Sequence, residues 1–146
     1  GADEISPAKH LIKGGGAALL LEKIVAYNAD AFVIVADESK AVDSLGTGFP
    51  VPVEVIPEAR VPVIAAIAAI GGTAVLREGV RKAGPVITDN GNLILDCLWG
   101  KTGGAPDPVE LERKINAIVG VVDNGLFTAR VPTVYIAHAD GSIERR

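Results

Sequence analysis

Near the start of this sequence a cation, Lys13, precedes three glycines, Gly14, Gly15 and Gly16, and a carboxylate, Glu22, follows six residues past the last glycine. Glycines leave backbone N–H groups open to close approach, and a run of them between a strand and a helix forms an anion-binding nest. Lys13 adds positive charge at the same place. A carboxylate on the following helix can then act as a base toward whatever the nest holds. These are the parts needed to bind an anionic, carbonyl-bearing substrate and move a proton on it. The cation and oriented N–H groups would meet the charge that develops on oxygen. Each group also has a plainer reading: the glycines as a tight turn, and Glu22 as a solvated helix glutamate paired with Lys23 or a neighbouring chain.

For the groups to meet, a strand must feed the glycines and a helix must leave them. Residues 9–12 read as that strand. Residues 16–28 read as the helix, with a glycine entry, helix-favouring Ala and Leu, and Asn28 as its stop. On a helix beginning near Gly16, Glu22 lies beside Ala18, Leu19, Val25 and Ala26 at three- and four-residue spacing. Apolar neighbours suit a general base. Residues 31–36 form a short apolar run rich in β-branched residues, read as a buried strand. Helix then strand, with ligand groups at the helix start, is half of a βαβ unit.

Beyond Pro50 the pattern changes. Residues 51–56 alternate around Pro52 and Glu54, and prolines at 50, 52 and 57 predict an edge strand. Pro62 sits in the first turn of a helix that runs to about Ile70 and ends at Gly71-Gly72. Strands are expected at 73–77 and 92–98, the second entered through the turn Asp89-Asn90-Gly91-Asn92. Asp107 is the expected N-cap of a helix opened by Pro108, whose Val109, Leu111, Ile115 and Ile118 are spaced for one buried face. Residues 121–127 supply a further strand. Strand, helix, strand, strand, helix, strand is the split βαβ, or ferredoxin-like, order; it spans roughly 50–127. Residues 134–137, with a turn at 139–141, then return to the first sheet. The expected architecture is therefore α/β, with a discontinuous first domain of 1–49 and 128–146.

Composition agrees with such a fold. The 146 residues are 49% hydrophobic but only 4% aromatic, with a mean hydropathy of +0.35. Aliphatic strands covered by helices have that profile. A net charge of −4 and a pI near 5.1 argue against a nucleic-acid partner. Cys97 is the single cysteine, which excludes an internal disulfide, and in its alternating run it reads as a buried inert thiol. His10 and His138 lack the paired spacing of metal ligands, and the stretch around Asp89 lacks the length and terminal glutamate of a calcium loop, so no metal is expected. No run approaches the roughly 18 apolar residues of a membrane span, and nothing at Gly1 resembles a signal peptide. A cytoplasmic location is the default expectation.

Several blocks, taken in order, resemble the type A ribose-5-phosphate isomerase family. They are Gly-Ala-Asp-Glu-Ile from Gly1, Ile-Lys-Gly-Gly-Gly-Ala-Ala from Ile12, Phe-Val-Ile-Val-Ala-Asp from Phe32, and the prolines and valines from Phe49 to Pro57. Val-Ile-Thr-Asp-Asn-Gly-Asn from Val86, the run from Ile115 to Val122, and Gly125-Leu126-Phe127 continue the series to about Thr133. The resemblance implies a Rossmann-like parallel-sheet domain carrying an inserted ferredoxin-like module at 50–127. It implies interconversion of ribose 5-phosphate and ribulose 5-phosphate through an enediolate, in the non-oxidative pentose phosphate pathway, with no cofactor. Glu22 would be the catalytic base, and Lys13 with Gly14, Gly15 and Gly16 would contact substrate. Asp3 would contact sugar hydroxyls and assist ring opening, and Lys40 would bind near the phosphate or sugar end. By themselves Asp3 reads as a turn residue and Lys40 as a surface lysine. A homo-oligomer, dimer or tetramer, is implied as well.

The family also places an aspartate directly before the position of Gly1 and a Gly- and Thr-rich phosphate loop farther upstream. Together with the absence of methionine, this leads us to expect a piece of a longer protein, inactive when isolated. The alternatives are a sugar-phosphate-binding or sensor domain without turnover, and a scaffold that only self-associates.

Overall fold

The computed structural model describes residues 1–81, 83–100 and 106–146. It is a mixed α/β structure. In chain order the strands are β1 (Glu4–Ile5), β2 (Leu11–Ile12), β3 (Val33–Asp37), β4 (Val51–Val55), β5 (Thr73–Leu76), β6 (Leu93–Leu98), β7 (Val121–Asn124), β8 (Leu126–Phe127), β9 (Thr133–Ala137) and β10 (Ile143–Arg145). Helix α1 (Leu19–Asn28) lies between β2 and β3, α2 (Arg60–Ala69) between β4 and β5, and α3 (Pro108–Asn116) between β6 and β7. No described helix is long and apolar enough to cross a membrane.

The strands form three sheets, ordered β1-β2-β8, β10-β9-β3 and β5-β6-β4-β7. The four-stranded sheet is antiparallel throughout, and β3 pairs with β9 in parallel from Val33↔Thr133 to Asp37↔Ala137. One buried cluster joins Val51, Val53, Val55, Val63, Ile67, Leu95, Cys97, Leu111 and Ile115; a second joins Ile5, Leu11, Ile34, Phe127, Val134 and Ile136. Ile12, Leu45 and Leu126 pack with the first cluster although they lie outside its four-stranded sheet.

Several sequence expectations need correction. Helix α1 begins at Leu19, not near Gly16: Ala17 has φ +63°, and its N–H donates to the Gly14 carbonyl, closing a turn before the helix can start. Strand β2 pairs with β1 and β8, whereas β3 lies in another sheet, so β2, α1 and β3 make no βαβ unit. Strand β3 is buried only at alternate positions, with Ile34 covered and Val33 and Val35 exposed.

Strand β4 is central, paired to β6 on one side and β7 on the other, and all five residues are buried. Pro52 is tolerated because its backbone faces the side where the β7 ladder ends at Val53↔Asn124; there its carbonyl accepts from the Gly125 N–H at 2.7 Å. The strand expected over 121–127 is interrupted at Gly125 into β7 and β8, which serve different sheets. In α3, Asp107 caps the helix as expected, accepting from the Val109 N–H at 3.0 Å, and Leu111 and Ile115 are buried. Val109 faces outward, 49% exposed.

Candidate active site

The β1–β2 hairpin brings Asp3 and Lys13 together. Its register pairs Glu4 with Ile12, and the Asp3 N–H donates to the Ile12 carbonyl at 2.7 Å, so the next residues along each strand emerge side by side. The Lys13 N–H is fixed in turn by the Gly125 carbonyl at 2.9 Å. The chain then turns through the glycines. Gly14 has φ +99°, and a Cβ there would stand 2.7 Å from the Cβ of Leu19, so both backbone and space demand glycine. At Gly15 a Cβ would meet Asp3 Oδ1 at 2.7 Å; without it, the Gly15 N–H donates to Asp3 Oδ2 at 2.9 Å. Ala17, a non-glycine residue at φ +63°, marks stored strain next to these groups.

Leu19, Lys23 and Ala26 form the buried stripe of α1, which leaves Glu22 at its border, in the first turn. Glu22 Oε1 lies 3.7 Å from Lys13 Nζ. Its Oε2 is buried and has no hydrogen-bond partner among the described residues. Lys13 is held almost out of solvent, donating from Nζ to the Gly1 carbonyl at 2.6 Å, with the Phe127 ring 5.7 Å away. Asp3, Lys13, Gly14, Gly15, Gly16 and Glu22 line one polar cavity of about 270 Å³. Lys13 and Glu22 also border a second, more apolar hollow of about 530 Å³ between α1 and residues 31–34. A carboxylate with one free oxygen beside a cation and unobstructed amides can take a proton from a carbon acid and stabilise the oxyanion that forms.

Five of the six residues singled out with Glu22 thus share its cavity, and Lys40 is the exception. It ends the short 3-10 turn Glu38–Lys40 after β3 and lines neither hollow beside Glu22. Glu4 is structural and not solvent-facing: at 2% exposure it accepts from the N–H groups of Gly46, Gly48 and Phe49 at 2.5, 2.6 and 2.8 Å. Nor does Lys23 pair with Glu22. Its Nζ is buried against Glu112, Asp123 and the Asn124 carbonyl. Burial pushes the Cys97 thiol up to about 12, so it is inert. Sequence reasoning missed Arg77, whose Nη1 donates to the carbonyls of Gly14 and Gly15 at 3.1 and 3.0 Å. The available hint was Asp96, a carboxylate inside the apolar strand β6, which needed a partner across the sheet.

The sequence model of Ribose 5-phosphate isomerase A (phosphoriboisomerase A) matches residues 1–141. A ribose-5-phosphate isomerase A of Treponema denticola is 58% identical over 144 residues, covering 99% of this chain and 60% of the relative. That of Treponema pallidum is 53% identical over 146 residues, covering 100% of this chain and 57% of the relative. The chain therefore spans about three fifths of the length of these relatives. Among solved structures, the ribose 5-phosphate isomerase A of Methanocaldococcus jannaschii superimposes with a TM-score of 0.89 at 50% identity, over 99% of this chain and 63% of that one. A D-ribose-5-phosphate isomerase in complex with phospho-erythronic acid gives 0.91 at 42% identity, over 99% of this chain and 62% of that one.

Proposed function

The chain belongs to the ribose 5-phosphate isomerase A family, and from that premise we propose that it is the base-bearing part of an enzyme interconverting ribose 5-phosphate and ribulose 5-phosphate. The observation that carries this reading is the single cavity lined by Glu22, Lys13, Asp3 and the three glycines. Open-chain ribose 5-phosphate has an aldehyde at C1 and a hydroxyl at C2. Glu22 takes the C2 proton, leaving an enediolate across C1 and C2. Lys13 and the amides of the glycine loop balance the negative charge on oxygen. Glu22 returns its proton to C1 while the hydroxyl proton passes from the C2 oxygen to the C1 oxygen, and the ketose results. Electrons only move within the sugar, so no redox cofactor takes part. Asp3 contacts the sugar hydroxyls and assists ring opening. Lys40 stands outside the cavity, and we assign it to the phosphate or sugar end of the substrate, away from the proton transfer.

In the same proposal residues 1–49 and 128–146 form a Rossmann-like domain, and 50–127 an inserted ferredoxin-like module. The sheet order β5-β6-β4-β7 and the two buried clusters support this division. Self-association as a dimer or tetramer belongs to it too; Val61, Val75 and Leu98 offer exposed apolar surface on the module.

The test is Glu22→Gln in the full-length protein. Glutamine keeps the shape and cannot accept the proton, so kcat should fall about 10²–10⁴-fold with KM nearly unchanged. A variant with near wild-type kcat would remove Glu22 from the mechanism. The same experiment separates this reading from a sugar-phosphate-binding domain, in which the wild-type protein itself turns nothing over.

A further inference from the structure

The glycine loop is gripped from outside by the four-stranded sheet. Arg77 follows β5, and its Nε and Nη2 pair with the Asp96 carboxylate at 2.9 and 2.5 Å. The remaining nitrogen, Nη1, spans the carbonyls of Gly14 and Gly15 at 3.1 and 3.0 Å. The described peptide bonds are all trans, and a trans peptide points its N–H opposite to its C=O. Holding the Gly14 carbonyl toward Arg77 therefore turns the Gly15 N–H away from it, onto Asp3 Oδ2 at 2.9 Å. Holding the Gly15 carbonyl turns the Gly16 N–H the same way, toward the side on which Asp3, Lys13 and Glu22 line their cavity. The Gly16 N–H has no protein acceptor among the described residues.

We propose that Arg77, braced by Asp96, is a positioning residue: it sets the two peptide planes so that the Gly16 N–H faces the oxygen on which charge develops and Asp3 stays aligned. The inference rests on the isomerase reading of the cavity and adds a residue from outside it. Asp96 neutralises the guanidinium, so Arg77 acts by orientation and not by its field. The loop needs such a restraint: Gly14, Gly15 and Gly16 carry no side chains to fix their peptide planes, and Ala17 at φ +63° holds strain beside them. Lysine cannot replace it, because one ammonium lacks the planar fork that grips a carboxylate and two carbonyls together.

The experiment uses the full-length protein with Arg77→Met, Arg77→Lys and, as a control, Glu22→Gln. It reads kcat and KM for ribose 5-phosphate, Tm, and the inhibition constant of phospho-erythronic acid, whose carboxylate carries charge like that of the intermediate. Arg77→Met should lose about 10–100-fold in kcat/KM, mostly in kcat, as expected for a misplacement of about 1 Å. The acid should bind more weakly in parallel. Arg77→Lys keeps a charge against Asp96 and should hold its Tm, yet fall to about a tenth of kcat or below; it decides alone if Arg77→Met does not fold. A folded variant within about twofold of wild-type kcat, or one losing KM only with the acid bound as before, overturns the proposal. An inactive wild type or an active Glu22→Gln sinks the isomerase reading and this inference with it. An active wild type, a dead Glu22→Gln and normal Arg77 variants sink this inference alone.

Discussion

Losing Lys23 should damage the protein more than losing most residues of the cavity, although Lys23 touches no substrate in the proposed mechanism. Its ammonium lies 2.9 Å from Glu112 Oε1, 2.7 Å from Asp123 Oδ1 and 2.7 Å from the Asn124 carbonyl. The Phe127 ring is 5.0 Å away, and the side chain is only 7% exposed. Lys23→Met keeps the apolar stem and removes the charge, which leaves two carboxylates in low dielectric with no cation between them. Removing one partner of a buried pair costs about 3–5 kcal/mol. The lower end applies here, because the Thr128 N–H and hydroxyl still hold Glu112 and the Asn124 N–H still holds Asp123. At roughly 2–4 °C per kcal/mol, about 3 kcal/mol lowers Tm by roughly 6–12 °C. Calorimetry at fixed protein concentration measures it. Adding Glu112→Gln and Asp123→Asn should recover more than half of the loss, since the damage is uncompensated charge and not lost packing. A drop below about 2 °C, or no recovery in the triple variant, would refute this account.

Two further outcomes can be checked directly. Gly15→Ala should lower kcat/KM about 10-fold or more, because the new Cβ would lie 2.7 Å from Asp3 Oδ1 and 3.1 Å from Phe49 Cζ and would force Asp3 aside; steady-state rates equal to wild type would place Asp3 outside the chemistry. Hydrogen bonding to Glu38 raises the pKa of His138 and holds the Glu38 carboxyl below its ordinary value, so their contact stabilises the fold mainly between the two ordinary values, about 4.3 and 6.5. That contribution is lost as pH rises through the raised histidine value and, at the acid end, as pH falls through the lowered glutamate value. His138→Ala should therefore depress Tm more at about pH 5.5 than at about pH 9, and equal depressions in thermal melts would show that the pair does not form.

The parts of the site that could be read from sequence are those assembled within one local stretch. Lys13, the glycines and Glu22 lie on a single turn and the helix after it, so spacing alone brings them near each other. Asp3 joins through a hairpin of two-residue strands, which periodicity could not reveal; the family resemblance singled it out. The errors arose where pairing decides the structure. Prolines around β4 pointed to an edge, yet the strand is central because Pro52 sits just past the end of one ladder. Strands of two residues, such as β1 and β2, carry too little pattern to announce a sheet of their own.

The residues that stayed hidden share one property: their partners are remote in the chain. Arg77 reaches the glycine carbonyls across 62 and 63 positions, and Lys23 reaches Glu112 and Asp123 across 89 and 100. Both contacts run from the segment bearing Glu22 to the 50–127 segment. One holds the loop before α1 and the other holds the buried face of the helix itself. Glu22 is thus fixed from two sides by a segment that contributes no group to its cavity. In the proposed mechanism such a segment acts through geometry, and its contacts are long-range ones that local sequence patterns do not carry.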